Sequence, residues 1–363
     1  MIKKIYRLLT VYLPNLLQVN LLWFIPFLKP LIKIKPDFIS LNITERCCLK
    51  CIMCNEWQNS KPDLTCVQWQ NVLQESKDIG INSVYLSGGE PFIRKDIFDL
   101  IDYANSLNMD VSCITNGYLI DQEKIERLKN SKITTIALSI DAIDEKYDYI
   151  RGLKGAYHRV INACNLLKKL SQETDTKVYI NFVLMKDTLE DFKDVKALCE
   201  EYEFPIVICL LDYSPEFFKV SENKNDFWIR SEEDFARLTE IQSMLYDMKK
   251  KNHHSVLGTY SDIDYIYRYF KDPIQHKIPC AVSQTRVVID SGGNVYGGCW
   301  SLGTHGNITE HSLNNILASD KYIKSHNKMF YKKCPGCSCG YMYNTRYFLP
   351  EILKNIKISY SKR

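Results

Sequence analysis

The chain is short of the features that give away many common protein classes. No serine, histidine and acid stand in a catalytic-triad pattern, and no glycine-rich phosphate loop appears, so neither an acyl-transfer triad nor a nucleotide cradle can be read from it. Charge of one sign is scarce: 47 Lys and Arg against 43 Asp and Glu leave +4. That balance is too even for a chain that wraps nucleic acid, and no such partner is expected. There is no low-complexity linker and no internal repeat beyond an alternation of strand-like and helix-like segments.

A long uninterrupted apolar run is also missing. "LLTVYLPNLLQVNLLWFIPFL", Leu8 to Leu28, follows Lys3, Lys4 and Arg7, but Pro14, Asn15, Gln18, Asn20 and Pro26 break it. A membrane span wants roughly 20 mostly apolar residues, and a signal peptide wants a small-residue cleavage site, which does not follow. The stretch reads first as a pair of short helices packed on the domain. Second comes an interfacial arm, residues 1–35, in peripheral contact with a membrane, with Lys29, Lys33 and Lys35 at its edge.

Cysteine is present in quantity, fourteen in all, but without the short length or export signal of a disulfide scaffold. The expected compartment is a reducing cytoplasm, with thiols kept for metal. Four of them crowd into "CCLKCIMC", Cys47 to Cys54.

From Pro36 onward, short β-rich runs alternate with amphipathic helical stretches. The runs are Phe38–Ile43, Ser83–Ser87, Val111–Thr115, Thr135–Ile140, Val178–Leu184 and Ile206–Leu211. Repeated strand-helix units imply an α/β fold with a parallel sheet, and six of them imply a partial (β/α)6 TIM-type barrel. One long helix is expected over 231–251, opened by the "SEED" start signal. "TRVVIDSGGNVYGG" then reads as a hairpin turning at Ser291 to Asn294, within a small α+β domain. The expected organisation is an apolar helical arm over 1–36, the barrel over 37–255, the small domain over 256–345 and a terminal helix or tail over 346–363.

In a barrel of parallel strands, reactive groups sit on the loops at the strands' C-terminal ends. The first such loop carries Cys47, Cys51 and Cys54 at C-x3-C-x2-C spacing. A four-iron cluster takes one thiolate per iron, so three cysteines leave one iron open for a cofactor. Structural zinc is the competing reading, but it wants four closed ligands, and Cys48 is the only spare donor nearby. Adjacent Cys47 and Cys48 cannot easily share one small tetrahedron.

With this spacing after a first barrel strand, the chain resembles a radical S-adenosylmethionine (SAM) enzyme over most of Pro36 to about Tyr343. "SGGEP" follows the second strand, as the family's Gly-Gly-Glu-Pro motif does, and the likeness implies that Gly88, Gly89, Glu90 and Pro91 meet the methionine amino group. "TNG", with Asn116, follows the third strand. "LSIDAIDEKYDYIRG" follows the fourth, and in similar enzymes the residues at Ser139 and Arg151 contact the methionine part of the cofactor. A bidentate Arg suits a carboxylate, whereas the bland reading makes Arg151 a solvated surface charge. The position before the third cysteine, often aromatic in the family, is Met53, still an apolar cover.

A second set, Cys280, Cys299, Cys334, Cys337 and Cys339, resembles the auxiliary-cluster modules called twitch and SPASM. A full SPASM module uses about seven cysteines, whereas five complete only one four-iron cluster. The resemblance therefore implies one auxiliary 4Fe-4S cluster on Cys280, Cys299, Cys334 and Cys337, with Cys339 as spare; a zinc ribbon is the alternative, since Cys334 and Cys337 form a knuckle-like pair. Cys66, Cys113, Cys164, Cys199 and Cys209 stand singly and read as packing thiols. His253 and His254 read as a solvated helix cap rather than an acid-base pair.

The likeness further implies that a reduced cluster splits SAM to methionine and a 5′-deoxyadenosyl radical, which takes a hydrogen atom from a substrate. The auxiliary cluster points to a net oxidation, a dehydrogenation or oxidative coupling. A flavodoxin or ferredoxin would serve as electron donor. Small-molecule, sugar-like and peptide substrates stay open, although the residues before the barrel are too few for a leader-binding domain. A non-catalytic iron-sulfur or zinc scaffold is the reading from another class.

Overall fold

The computed structural model describes residues 8–32, 34–58, 62–211, 224–273, 278–300, 303–331 and 344–361. Cys334, Cys337 and Cys339 lie outside these residues, so nothing structural is said of them.

Six strands run parallel in sequence order: β1 (Phe38–Thr44), β2 (Ser83–Gly88), β3 (Asp110–Thr115), β4 (Thr135–Ser139), β5 (Lys177–Leu184) and β6 (Ile206–Leu210). Each pairs with the next, as right-handed strand-helix-strand units require. Beyond β1, on the other side, β7 (Arg286–Ile289) pairs in parallel with it, Ile39 opposite Val287. β8 (Asn294–Tyr296) and β9 (Thr304–Asn307) then follow antiparallel, so one nine-stranded sheet carries both halves of the chain. The expected hairpin is the β7–β8 turn.

Alternation along the strands decides what each face does. Ile39, Leu41 and Ile43 of β1, Val84 and Leu86 of β2, and Ile180, Phe182 and Leu184 of β5 are buried against the helices. Their neighbours Ser40, Tyr85, Ser112, Tyr179 and Asn181 face the other way and line a lumen of about 530 Å³. In a closed barrel of eight strands branched aliphatics fill this space. Here side chains that carry hydroxyl and amide groups leave it open, and the Tyr85 and Tyr179 hydroxyls hydrogen-bond across it.

The helices covering the sheet start and stop where local chemistry tells them to. α1 (Leu13–Phe24) belongs to the N-terminal arm; α2 (Cys66–Asp78) is opened by a capping box between Thr65 and Gln68. α3 (Ile97–Ser106), α4 (Gln122–Asn130), α5 (Asp144–Arg151), α6 (Ala156–Glu173) and α7 (Phe192–Tyr202) complete the crossovers. α8 (Glu232–Lys251) has the expected start: Asp234 N donates to Ser231 Oγ at 3.0 Å, and Ser231 N donates back to the Asp234 carboxylate at 3.2 Å. His253 and His254 follow it in an exposed turn. After α9 (Tyr260–Lys271) come α10 (Leu313–Ala318), α11 (Asp320–Phe330) and the C-terminal α12 (Leu349–Ser361).

The first reading of the N-terminal stretch matches what is seen: α1 and a 3-10 turn over Pro26–Leu31 pack on the body through Val19 and Leu22, which meet Ala281, Phe330 and Tyr347. Among the described residues no helix is long and apolar enough to cross a membrane.

Below the cysteine loop, one buried cation ties three segments together. Arg94 Nη1 donates to Ile43 O at 2.9 Å and Leu64 O at 3.0 Å, while its other nitrogens grip Asp96 at 2.6 and 2.9 Å. Removing such a partner leaves acceptors unpaired and a carboxylate without its cation. Arg94→Ala should cost about 3 kcal/mol of stability in urea unfolding; a loss below about 1 kcal/mol would show the anchor to be dispensable.

Candidate active site

The loops after β1 to β4 meet in one cavity of about 250 Å³, lined among others by Cys47, Cys51, Cys54, Gly88, Gly89, Asn116, Ser139 and Arg151. Cys48 is not among the lining residues. The geometry begins with the cysteine loop, which lies on the C-terminal end of α5. Lys50 N donates to Arg151 O at 3.1 Å and Ile52 N to Ile150 O at 2.9 Å, so carbonyls that a helix end leaves orphaned are used to hold the loop. Gly152 makes the approach feasible: it sits at φ 66°, and a Cβ there would come 2.3 Å from Lys50 O.

A second close approach brings in the loop after β2. Gly89 N donates to Thr44 O at 2.8 Å and Glu90 N to Arg46 O at 2.9 Å; a Cβ on Gly89 would stand 2.3 Å from Arg46 O. Glu90 and Pro91 lie behind the cavity wall, and Glu90 is wholly buried. Its carboxylate accepts hydrogen bonds from Asn116 N at 2.8 Å, Thr115 Oγ1 at 2.9 Å and Phe92 N at 3.1 Å. The residue therefore joins the second loop to the third and sets Asn116, whose Nδ2 donates to Cys47 Sγ at 3.6 Å.

Arg151 is buried, so the surface-charge reading does not hold. Its Nη2 pairs with Asp141 at 2.5 Å, Nη1 donates to Cys51 Sγ at 3.7 Å, and the guanidinium stands 5.4 Å from the Tyr147 ring centre. Nε has no hydrogen-bond partner among the described residues. A buried, unspent N–H beside the cavity suits an incoming carboxylate. Ser139 closes this side at the end of β4.

Charge at the thiols follows burial. Desolvation pushes Cys54 up to about 12 and raises Cys51, the latter against the pull of Arg151. Cys48 is held below its ordinary value, first by a hydrogen bond from Cys47. Thiolates are what a cluster binds, so loading would displace protons. Three cysteines of one loop line this cavity, a donor set that fits a four-iron cluster in which each thiolate takes its own iron.

Sequence reasoning missed several lining groups. Trp57 and Glu56 follow the cysteine loop, and Cys209, read as a packing thiol, lines this cavity together with Ile114 and Leu210. The same three residues line the lumen, so the two spaces adjoin. Asp141, the partner of Arg151, stands in the quoted fourth-strand motif two places after Ser139, but Asp144, Glu145 and Asp148 lie nearer to Arg151 in sequence, so no local signal singled it out.

In the second half, Cys280 and Cys299 are both buried. Gly298, at φ 73°, presses on the turn that follows Cys280, where a Cβ would meet Val282 O at 2.5 Å; Arg286 Nε donates to Gly298 O at 2.8 Å. These contacts bring the segments carrying the two thiols together.

Two tests follow from this geometry. Burial pushes the Glu90 carboxyl up from 4.5 to about 7. Between those pH values the folded form holds a proton that the unfolded form has lost, so stability falls as pH rises through the window. Glu90→Gln should remove that fall, about 3 kcal/mol across the window in urea unfolding; equal slopes in both proteins would refute the shift. Cys48→Ser should leave iron per reconstituted chain unchanged, and a loss of iron would mean that Cys48 is a ligand.

Comparison with known proteins places this arrangement. The radical SAM superfamily model matches residues 41–199, and the iron-sulfur cluster-binding domain, SPASM, matches residues 280–339. The chain is 31% identical over 179 residues to Fe-coproporphyrin III synthase of Methanosarcina barkeri, covering 48% of this chain and 43% of that protein. It is 31% identical over 170 residues to PqqA peptide cyclase of Gluconobacter oxydans, covering 46% of each. The chain thus spans less than half the length of the curated relatives it matches. Among solved structures, Streptococcus suis SuiB bound to precursor peptide SuiA superposes with a TM-score of 0.61 at 22% identity, covering 82% of this chain and 68% of that one, a likeness of fold. Domains of the two matched kinds bind a four-iron cluster with SAM and auxiliary iron-sulfur clusters, respectively. With the first of these models on the barrel and the second on the strands that extend its sheet, the chain carries a radical SAM domain over residues 41–199 and a SPASM domain over residues 280–339.

Proposed function

We propose that the chain cleaves S-adenosylmethionine reductively and uses the 5′-deoxyadenosyl radical to take a hydrogen atom from a substrate in a net oxidation. One observation carries the reading: a single cavity joins Cys47, Cys51 and Cys54 to Gly88, Gly89, Asn116, Ser139 and Arg151, and it adjoins an open lumen. When bound at the three thiols, a reduced four-iron cluster supplies the electron that splits SAM at its open iron.

The protein's own residues would do the positioning. Arg151 Nε would hold the methionine carboxylate, and the peptide groups of Gly88 and Gly89 would hold the amino end. Glu90 holds the Asn116 loop in place from behind. Burial keeps water from the reacting centre, where an unquenched radical has to meet substrate. Cys280 and Cys299, with Cys334 and Cys337, would hold one auxiliary cluster that accepts the second electron of the oxidation, while the proton leaves to solvent or a base.

A peptide side chain as substrate is the second reading, and the likeness to a peptide cyclase favours it. Small-molecule or sugar-like substrates suit the Ser40, Ser112 and Asn181 lining.

Anaerobic incubation of the reconstituted protein with dithionite and SAM tests the core of this reading. Release of 5′-deoxyadenosine is expected, with its disappearance in a Cys47→Ala, Cys51→Ala, Cys54→Ala variant. Chains loaded with about eight irons would carry both clusters, about four only one. No release from fully loaded protein would leave an iron-sulfur scaffold instead, and a redox-neutral product would remove the auxiliary cluster's role as electron acceptor.

A further inference from the structure

The two ends of the chain meet on one side of the fold. Asn20 of α1 donates from Nδ2 to Tyr347 O at 2.9 Å and accepts from Leu349 N at 3.0 Å, gripping the start of α12. Tyr12 Oη donates to Arg346 O at 2.6 Å, and the Phe24 and Phe348 rings stack with centres 6.1 Å apart. α1 is thus fixed to the body by its Asn15, Val19 and Leu22 face. α12 is fixed by Asn355, whose Oδ1 accepts from Ser261 N at 2.9 Å, and by Ile358 against the core.

What these helices turn outward is apolar. Leu13, Leu17, Leu21 and Phe24 form one stripe at helical spacing, with Leu17 63% and Phe24 62% exposed. Leu349, Leu353 and Ile356 form a second on α12, about half exposed each. Phe27, in the turn after α1, is 79% exposed. Water is a poor neighbour for so much contiguous hydrocarbon, and a patch of this kind marks an interaction surface.

The charge around it says what sort. Residues 1–36 hold Lys3, Lys4, Arg7, Lys29, Lys33 and Lys35 and no acid; residues 352–363 hold Lys354, Lys357, Lys362 and Arg363 and again no acid. Taking those ten from 47 leaves 37 Lys and Arg against 43 Asp and Glu in the rest of the chain, which is net acidic. The net positive charge therefore comes from the apolar ends of the sequence. Apolar stripes on segments this rich in Lys and Arg, whose one acid, Glu351 at the start of α12, pairs with Lys354 at 3.9 Å, complement an anionic lipid surface, where the side chains enter the acyl boundary and the cations meet headgroups.

We propose that α1, the turn after it and α12 form a platform that docks the folded protein on anionic membranes, lying in the interface rather than crossing it. A second copy of the chain is the rival occupant, but two such faces would bring like charges together.

Vesicle flotation of the full-length protein tests this. Phosphatidylcholine vesicles carrying about one third phosphatidylglycerol should float the protein. Pure phosphatidylcholine should bind less, as should the charged vesicles when salt rises from about 0.05 to about 0.5 M. Leu17→Glu with Leu21→Glu, both at exposed positions, should lower the partition coefficient about tenfold or more. An unchanged melting temperature in that variant would tie the loss to the surface. Wild-type protein that stays unbound with charged vesicles overturns the proposal, as does a double variant that floats equally well. A concentration-dependent dimer in sedimentation without lipid, abolished by the same variant and unaccompanied by flotation, assigns the face to a second copy and overturns it too.

Discussion

The hydrogen bonds from Lys50 and Ile52 to the last carbonyls of α5 are the constraint on which the site rests. They join the loop after the first strand to the helix after the fourth, across the mouth of the barrel. The same helix end carries Arg151, and the Asp141 pair keeps that cation in place under full burial. Loss of either partner would strand a charge in a dry interior, a cost of about 3 to 5 kcal/mol. Three thiols and a guanidinium are therefore placed by one local device, and a shift of α5 would move them together.

Much of the fold was legible because the barrel strands have a plain alternating pattern and the helix starts carry explicit caps. All six barrel strands, the "SEED" helix start and the hairpin at Ser291 appear where the pattern put them. The cavity's motif residues were legible for a different reason: spacing after a strand end fixes which loop a residue sits on. Pairing across loops was harder. Nothing in the local sequence around Glu90 says that Asn116 and Thr115 will cap its carboxylate, because those partners come from a different crossover. The parallel pairing of β7 with β1 was equally hidden, since 242 residues separate Arg286 from Thr44 and strand patterns carry no record of their partner.

The lumen shows how side-chain choice on one face of a sheet makes room for chemistry. Aliphatics on the outward positions supply the hydrophobic stabilisation, leaving the inward positions to Ser40, Ser112, Tyr179 and Asn181. A barrel of only six parallel strands need not pack its interior for closure, because β6 does not have to meet β1. The hydroxyl contact between Tyr85 and Tyr179 braces the space without filling it. The N-terminal arm makes a similar division: one face of α1 supplies packing, the other remains outside.

The direct pairing of β1 with β7 has a consequence for spacing. Because the loop of Cys47, Cys51 and Cys54 and the segments of Cys280 and Cys299 adjoin strands of one continuous hydrogen-bonded sheet, main-chain pairing rather than a flexible linker fixes the gap between them. Were clusters bound at both places, the distance from each to a substrate between them would be set at folding and would not wait on domain motion.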